Sequence, residues 1–356
     1  MIQALFHRLR PLSLSFLIAI GLSSCTAMSL DDLGDPSPQI PAKLVGEMAK
    51  KGMTPDSPVL IRIFKQESEL EVWKQDRTGR YALLKVYPMC RWSGKLGPKT
   101  RTGDRQAPEG FYHVSTGMLN PKSQFYLSFN LGYPNRLEAA LGYSGEALMV
   151  HGACSSSGCY AMTDQGVGEI YALVHNALIG GQERFQVQAY PFRMTLENMA
   201  AHRSDPNFEF WKNLKEGYDA FEFSKHQPKV ATCDRRYVFN AEFEKDPTNP
   251  LAACPPRQQD VEPALSAKVQ LEGQKLTSLL AKDPPAIVTA YADGGMHSSF
   301  RALLKQNGAD KLAQKISTIK YPISRPDAAL ADPYKGEPWK APVERAREND
   351  ANRDDN

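Results

Sequence analysis

The strongest constraint on the fold is a β-hairpin pattern that begins at Val59. Residues 59–64 are apolar and rich in β-branched side chains, residues 66–68 are polar, and residues 70–73 alternate between apolar and polar side chains. A period of two is typical of a strand with one buried face, and a polar interruption between two such runs is typical of a turn. Further β-rich runs are found at residues 81–87, 111–114, 125–129 and 147–150. We therefore expect a mainly β fold.

Helices are predicted to flank these strands. Thr163 or Asp164 can cap a helix that carries apolar residues as far as Leu178 and ends at Gly180. A second helix begins near Asp205 and has an apolar stripe at spacings of three and four, formed by Phe208, Trp211, Leu214 and Tyr218. We expect this stripe to pack against a sheet, so the predicted fold class is α+β, mainly β with flanking helices.

The first 25 residues have the layout of a signal peptide. Arg8 and Arg10 precede the apolar run 12–22, which is shorter than the roughly 20 residues that a membrane span needs. The run ends in Leu-Ser-Ser-Cys, which resembles the lipobox of bacterial lipoproteins, in which the cysteine, here Cys25, is lipidated. We expect a periplasmic lipoprotein of a Gram-negative bacterium, anchored to the outer membrane through Cys25. A signal peptide that is cleaved without lipidation is the alternative.

Composition divides the rest of the chain into further regions. Residues 26–58 are rich in proline and small polar residues, which predicts a flexible tether before the β-rich region. Residues 231–321 include apolar residues at helical spacing, which predicts a helical C-terminal extension. Residues 322–356 are rich in charged residues and proline, and we expect them to form a disordered charged tail.

Charge and cysteine content limit the possible functions. The net charge of +3 is too small to indicate a nucleic-acid partner. Six cysteines are present: Cys25, Cys90, Cys154, Cys159, Cys233 and Cys254. If Cys25 carries a lipid and Cys159 is kept as a nucleophile, the other four can form two disulfides in an oxidising compartment, with three possible connectivities. A bridge between Cys154 and Cys159 would block the nucleophile.

Residues 150–164 contain the strongest signal for chemistry. His151 and Cys159 are separated by small residues that allow the loop to bring the two side chains together. A thiol with an ordinary pKa near 8.5 is mostly protonated at neutral pH, so a neighbouring imidazole must take its proton before it can attack. We predict that Cys159 is the nucleophile and His151 its base.

The small residues around this pair can support the reaction. The backbone N–H groups near Ser157, Gly158 and Cys159 could face a developing oxyanion, because a loop without large side chains exposes consecutive amides. Gly152 and Tyr160 are predicted to support the same loop. A zinc site built from His151, Cys154 and Cys159 would lack a fourth ligand at usable spacing, so no metal and no cofactor is expected.

These residues resemble the catalytic signature of the YkuD-type L,D-transpeptidase family. The matching pieces are His151-Gly152 and the block 156–159, which reads Ser-Ser-Gly-Cys. Ser157 stands where the common block has a second histidine, and Ala161 stands where many members have Arg or Asn. Both departures are those of the YafK-like murein transpeptidase branch. The resemblance extends to residues 92–99, 108–112 and 129–135, and covers residues 59–230.

The resemblance implies a β-sandwich or barrel catalytic domain at residues 59–230 and a thioester on Cys159. The thiolate would attack the bond between meso-diaminopimelate and D-alanine in peptidoglycan stem peptides. An amine acceptor would give a cross-link or an attached protein. Water as acceptor would make the protein an L,D-peptidase that trims stems or releases a lipoprotein linked to peptidoglycan.

Two further readings remain open at this point. The protein could be a peptidoglycan-binding lipoprotein without catalytic activity. Lys95 and Lys99 lie in a loop with glycine and proline and could steer an anionic stem peptide, although an exposed lysine is more often only a solvated charge.

Overall fold

The computed structural model describes residues 38–259, 263–282 and 294–318. The predicted signal peptide with Cys25 and the predicted tail 322–356 lie outside the described residues. No helix in the described ranges has both the length and the apolar character to cross a membrane.

In chain order the elements are α1 (Ala42–Lys50), β1 (Val59–Phe64), β2 (Glu69–Gln75), β3 (Tyr81–Pro88), β4 (Arg91–Trp92), β5 (Gly110–Ser115), a short 3-10 helix (Thr116–Met118), β6 (Leu119–Ser123), β7 (Tyr126–Asn130), α2 (Arg136–Ala140), β8 (Met149–His151), β9 (Tyr160–Ala161), α3 (Asp164–Ile179), β10 (Arg184–Tyr190), α4 (Leu196–Ala201), α5 (Phe208–Ser224), β11 (Val230–Cys233), β12 (Arg236–Phe239), β13 (Ala241–Phe243), β14 (Arg257–Gln259), α6 (Pro263–Lys282) and α7 (Ser298–Ile316).

Two five-stranded mixed sheets form the framework. The first has the strand order β3-β2-β1-β10-β5, and the second has the order β4-β9-β8-β7-β6. Strands β1 and β2 form the predicted antiparallel hairpin, while β1 and β10 pair in parallel. In the second sheet β8 pairs in parallel with β9 and antiparallel with β7. The second sheet contains both His151 and the strand that follows Cys159.

The main core contains apolar side chains from both sheets and from α3. They include Ile61, Ile63 and Val187 from the first sheet, Phe129, Val150 and Tyr160 from the second, and Val167, Ile170 and Val174 from α3. Thr163 caps α3 by accepting a hydrogen bond from the Gly166 amide, as its position before the apolar run predicts. The predicted α+β fold with flanking helices is therefore confirmed.

Helix α5 packs in a second apolar cluster. Its Trp211 and Leu214 are buried with Phe64, Phe111 and Tyr190 of the first sheet. The prediction that this helix presents its apolar stripe to a sheet is confirmed.

The predicted tether at residues 26–58 is wrong for the part that the structure describes. Helix α1 lies within it, and Leu44, Met48 and Met53 are buried in the main core. Leu44 and Met48 are four residues apart, so they lie on one face of a helix. Pro41 lies at the N-terminal cap of this helix and Pro55 lies beyond its end, so neither proline prevents the helix from packing.

The region after residue 230 is not purely helical, in contrast to the prediction. It begins with the antiparallel pairs β11–β12 and β13–β14 and becomes helical at α6.

Two disulfides, Cys90–Cys154 and Cys233–Cys254, join the four cysteines whose pairing the sequence leaves open. Cys159 is free.

Candidate active site

The register of β8 against β9 brings His151 and Cys159 onto the same face of the second sheet. Val150 pairs with Tyr160, and both side chains point into the main core. Side chains alternate along a strand, so His151 and Cys159 point to the opposite face. Continuing the register by one residue sets Cys159 beside Met149, whose amide N–H lies 3.4 Å from the Cys159 sulfur. The two predicted catalytic side chains are thus diagonal neighbours on one face.

A backbone carbonyl fixes the proton on the His151 ring. The Nδ1 atom lies 2.6 Å from the Gly152 carbonyl oxygen, and the ring packs against Phe125 with their centroids 4.8 Å apart. A carbonyl oxygen can only accept, so Nδ1 must donate, and in the neutral ring Nε2 then carries the lone pair. His151 is held in the tautomer that a general base needs.

Both members of the pair are uncharged at neutral pH. Burial lowers the pKa of His151 to about 4, against opposing effects of the Gly152 carbonyl and Asp164. Burial also raises the pKa of the Cys159 thiol, against opposing effects of the Met149 amide and Lys99. The resting site therefore holds a thiol and a neutral imidazole. The thiol remains half-buried, so it is not sealed in the core.

The depressed pKa of His151 predicts a loss of stability in acid. As the pH falls from 6.5 to about 4, the unfolded chain protonates His151 while the folded chain does not. The free energy of unfolding is therefore highest above about pH 6.5, the pKa of His151 in the unfolded chain. It falls by about 3 kcal/mol in total as the pH approaches about 4, the pKa of His151 in the folded protein. Urea unfolding at about pH 7.5 and about pH 4 should show this loss in the wild type but not in His151→Gln. Parallel pH dependences for the two proteins would contradict the burial of a neutral imidazole.

The turn that follows His151 depends on glycine at position 152. A Cβ atom there would lie 2.7 Å from an Asp164 carboxylate oxygen and 2.8 Å from the Phe125 carbonyl. Ala153 and Cys154 come next with φ angles of 64° and 50°, a left-handed conformation that costs about 1–2 kcal/mol per non-glycine residue. Contacts elsewhere must hold this turn in place.

The loop before Cys159 is held by hydroxyl groups. The Ser156 hydroxyl donates to the Cys159 carbonyl at 2.7 Å and lies 3.0 Å from the Ser93 hydroxyl. Gly158 has a φ angle of 129°, which favours glycine. Ser156 is one of three consecutive serines, and only the structure distinguishes it from its neighbours.

The other predicted supports have different environments. Ser157 is exposed at the tip of the loop, next to Gly158. Tyr160 points into the main core, and its hydroxyl donates to the Pro108 carbonyl. Tyr160 thus joins the loop before β5 to β9 from behind the sheet, on the face opposite the thiol.

The two predicted steering lysines differ in accessibility. Lys95 is exposed. Lys99 is buried, and its ammonium group donates to Asp104 and, at 2.8 Å, to the Arg101 carbonyl. Lys99 therefore stabilises its own loop, and its charge opposes the rise in the pKa of the Cys159 thiol, while its role in steering a stem peptide stays a prediction.

The disulfide excludes one zinc arrangement. Cys154 is bonded to Cys90 and cannot join His151 and Cys159 as a thiolate ligand. Within the described ranges, no group of three or more His, Cys, Asp or Glu side chains is arranged to hold a metal ion.

Ser128 lies beside His151, although no local pattern in the sequence distinguishes it. It pairs directly with His151 across β7 and β8, so the two side chains are neighbours on the same face. Its hydroxyl is buried and has no hydrogen-bond partner among the described residues. A buried hydroxyl is normally bonded, so an unpaired one next to the imidazole is unusual.

His151 and Cys159 thus lie on one face of the second sheet, as the resemblance to the L,D-transpeptidase family predicts. No family model matches the chain. The chain is 45% identical over 197 residues to "Putative L,D-transpeptidase YafK" of Escherichia coli K12, which covers 55% of this chain and 80% of that protein. The same values hold for the protein of that name from E. coli O157:H7. The chain therefore belongs to the L,D-transpeptidase family, in its YafK-like branch.

Two solved structures were also found to be similar. The helical cell shape determining protein Pgp2 of Campylobacter jejuni has 17% identity and a TM-score of 0.31, over 54% of this chain and 80% of that chain. Bd1075 of Bdellovibrio bacteriovorus has 13% identity and a TM-score of 0.28, over 49% and 76%.

Proposed function

We propose that the protein is a peptidoglycan L,D-transpeptidase that forms a thioester on Cys159. The bond attacked is the one between meso-diaminopimelate and D-alanine in a stem peptide. The main support is the hydrogen bond from His151 Nδ1 to the Gly152 carbonyl, at 2.6 Å. It leaves the Nε2 lone pair on the sheet face that also carries the Cys159 thiol.

The proposed reaction follows from this arrangement. His151 Nε2 takes the thiol proton as the Cys159 sulfur bonds to the substrate carbonyl carbon. The Cys159 amide would donate to the resulting oxyanion, and the Gly158 amide would join it by leaving the Ser156 hydroxyl, which it contacts at 3.4 Å. The imidazolium then gives its proton to the nitrogen of D-alanine as the carbon–nitrogen bond breaks, which leaves the stem peptide as a thioester. Amine or water attack on the thioester, with His151 again as base, regenerates the thiol.

Proton transfer in this site should require bound substrate. The low pKa of His151 and the raised pKa of Cys159 both disfavour the ion pair in the empty site. Charge that develops on the substrate oxygen would offset that cost. Asp164 and the Gly152 carbonyl favour the protonated ring. We therefore expect the free thiol to react slowly with alkylating agents.

We also propose that the protein acts in the periplasm, attached through Cys25 to the outer membrane. The two disulfides support an oxidising compartment, since such bonds are rare in reducing ones. Peptidoglycan stem peptides, or a lipoprotein joined to them, would be within reach there.

The test is mass spectrometry of purified protein incubated with disaccharide-tetrapeptides. We expect loss of D-alanine and a covalent stem peptide on the intact protein. Cross-linked dimers would identify a transpeptidase, whereas tripeptides alone would identify an L,D-peptidase, and a peptidoglycan–lipoprotein conjugate offered in parallel would reveal release. Unchanged substrates and unmodified protein would support a binding protein without catalysis and would refute the proposal.

A further inference from the structure

The segment Gly294–Thr318, which we call the C-terminal clamp, packs against the turn formed by residues 151–154. Gly295 and Trp92 exchange two backbone hydrogen bonds, of 3.0 and 3.1 Å, so the clamp adds to the edge strand β4. Side chains of the clamp cover the disulfide that ends the turn, and these are Met296, Phe300, Leu304, Leu312 and Ile316 around Cys90–Cys154. The clamp lies beyond residues 59–230, to which the family motifs are confined.

Asp164 connects the clamp to the turn through its two carboxylate oxygens. Oδ1 accepts the Ala153 amide at 2.8 Å. Oδ2 accepts the hydroxyls of Thr318, at 2.7 Å, and Ser317, at 3.1 Å, and also the Thr318 amide. Asp164 is buried and is the first residue of α3, where the helix dipole favours its charge. The Asp164 carboxylate thus binds both Ala153 of the turn and the C-terminal end of the clamp.

The conformation of this turn is not the one its residues prefer. Ala153 and Cys154 both have positive φ angles, which side chains other than glycine avoid. The Asp164 carboxylate holds the first of them and the disulfide holds the second. The Gly152 amide also donates to the Phe125 carbonyl at 3.0 Å and the Cys154 amide to the Met162 carbonyl at 3.4 Å, so the contacts of Asp164 and of the disulfide supplement these bonds.

We propose that the C-terminal clamp is a positioning element for the general base. Acting through Asp164 and the Cys90–Cys154 disulfide, it holds the Gly152 carbonyl against His151 and so fixes the tautomer with a free Nε2. The effect of the clamp on catalysis rests on the proposed function, whereas its effect on the His151 tautomer does not.

Two point variants loosen the clamp without altering the reacting residues, and the first of them removes one of the three clamp donors to Asp164 Oδ2. Thr318→Val removes the hydroxyl that donates to Asp164. Gly294→Ala places a Cβ atom 1.9 Å from the Trp92 carbonyl oxygen, so the clamp must move off β4. The matched controls lie on the exposed face of α6: Thr277→Val, whose hydroxyl bonds only within its own helix, and Gly273→Ala, where a Cβ atom would contact nothing within 4 Å.

The experiment reads the His151 tautomer by NMR of full-length protein with 15N-labelled histidine, assigned with His151→Gln. We expect Nδ1–H in the wild type and controls, and a mixture with Nε2–H in both clamp variants. Exchange of the Ala153 amide should accelerate by about tenfold or more, since its acceptor is loosened. Turnover on tetrapeptides should fall roughly 10- to 100-fold with KM within about twofold, as a misplaced base predicts.

The outcomes separate this inference from the proposed function. Wild-type tautomer and exchange in both clamp variants would overturn the positioning role, whatever the activity. A tautomer shift in a protein that leaves all muropeptides unchanged would refute the proposed function and keep the positioning role. A rise in KM with unchanged turnover would assign the clamp to substrate binding and would also overturn the inference.

Discussion

Replacing Cys159 with alanine is expected to abolish the covalent stem peptide and to lower turnover by roughly 10⁴-fold or more. The thiol is the one free cysteine among the described residues, and it shares a sheet face with the His151 base. Without the sulfur no thioester forms, and only slow attack by water remains. Initial rates of D-alanine release from tetrapeptides, together with intact-protein mass spectrometry, measure both effects.

The control for this prediction must have an equally small change far from the site. Thr277→Ala, on the exposed part of α6, should keep wild-type rates and the covalent adduct. The circular dichroism of Cys159→Ala should match the wild type, because a half-buried side chain loses only its sulfur. Tetrapeptide processing by Cys159→Ala at more than about one-tenth of the wild-type rate would exclude the thioester mechanism.

The second large effect is expected from a buried ion pair beside the site. Lys65 and Glu109 are fully buried and 2.8 Å apart. Glu109 also accepts the Gly97 amide at 2.7 Å and the Trp211 indole N–H at 2.8 Å. Glu109→Leu leaves an ammonium group and two N–H donors buried without this partner, so the free energy of unfolding should fall by about 3–5 kcal/mol. Urea unfolding at neutral pH measures the change.

A double-mutant cycle separates the ion pair from simple packing. Lys65→Met with Glu109→Leu removes both charges, so the double variant should be more stable than Glu109→Leu alone. The surface pair Lys229–Glu242, 3.4 Å apart and largely exposed, is the control and should contribute about 1 kcal/mol or less. Additive losses from the two buried substitutions would refute the proposed coupling of Lys65 and Glu109.

The ion pair also affects the site through the loop that precedes β5. Lys65 donates to the carbonyls of Gly97 and Ala107, so one ammonium joins two separate parts of this loop. The loop contributes Ser93, whose hydroxyl contacts Ser156 beside the nucleophile. We therefore expect Glu109→Leu to lower turnover as well, because the loop loses its anchor.

The features that were predicted from sequence are those encoded over short distances. The β1–β2 hairpin follows from a period-two pattern, and the start of α3 follows from Thr163 before an apolar helical run. His151 and Cys159 were recognised because they belong to one loop of small residues. In each case the deciding residues are within about fifteen positions of one another, where local geometry dominates.

The missed features depend on contacts between distant parts of the chain. Residues 42–50 looked like part of a tether, yet their apolar side chains find a core built from both sheets. Asp164 looked like an ordinary helix-capping residue, and its bond to Thr318 spans 154 positions. Ser128 became a site residue only through its strand register with His151.

By itself, the sequence identified the candidate nucleophile and base and most of the strands and helices that carry them. Those properties depend on the pKa of a thiol, the basicity of an imidazole and the spacing of apolar residues. Only the tertiary structure decided which cysteines pair, which tautomer His151 adopts and what holds its turn. The physical reason is that a strained turn and a buried charge persist only where distant segments supply the hydrogen bonds and packing that offset their cost.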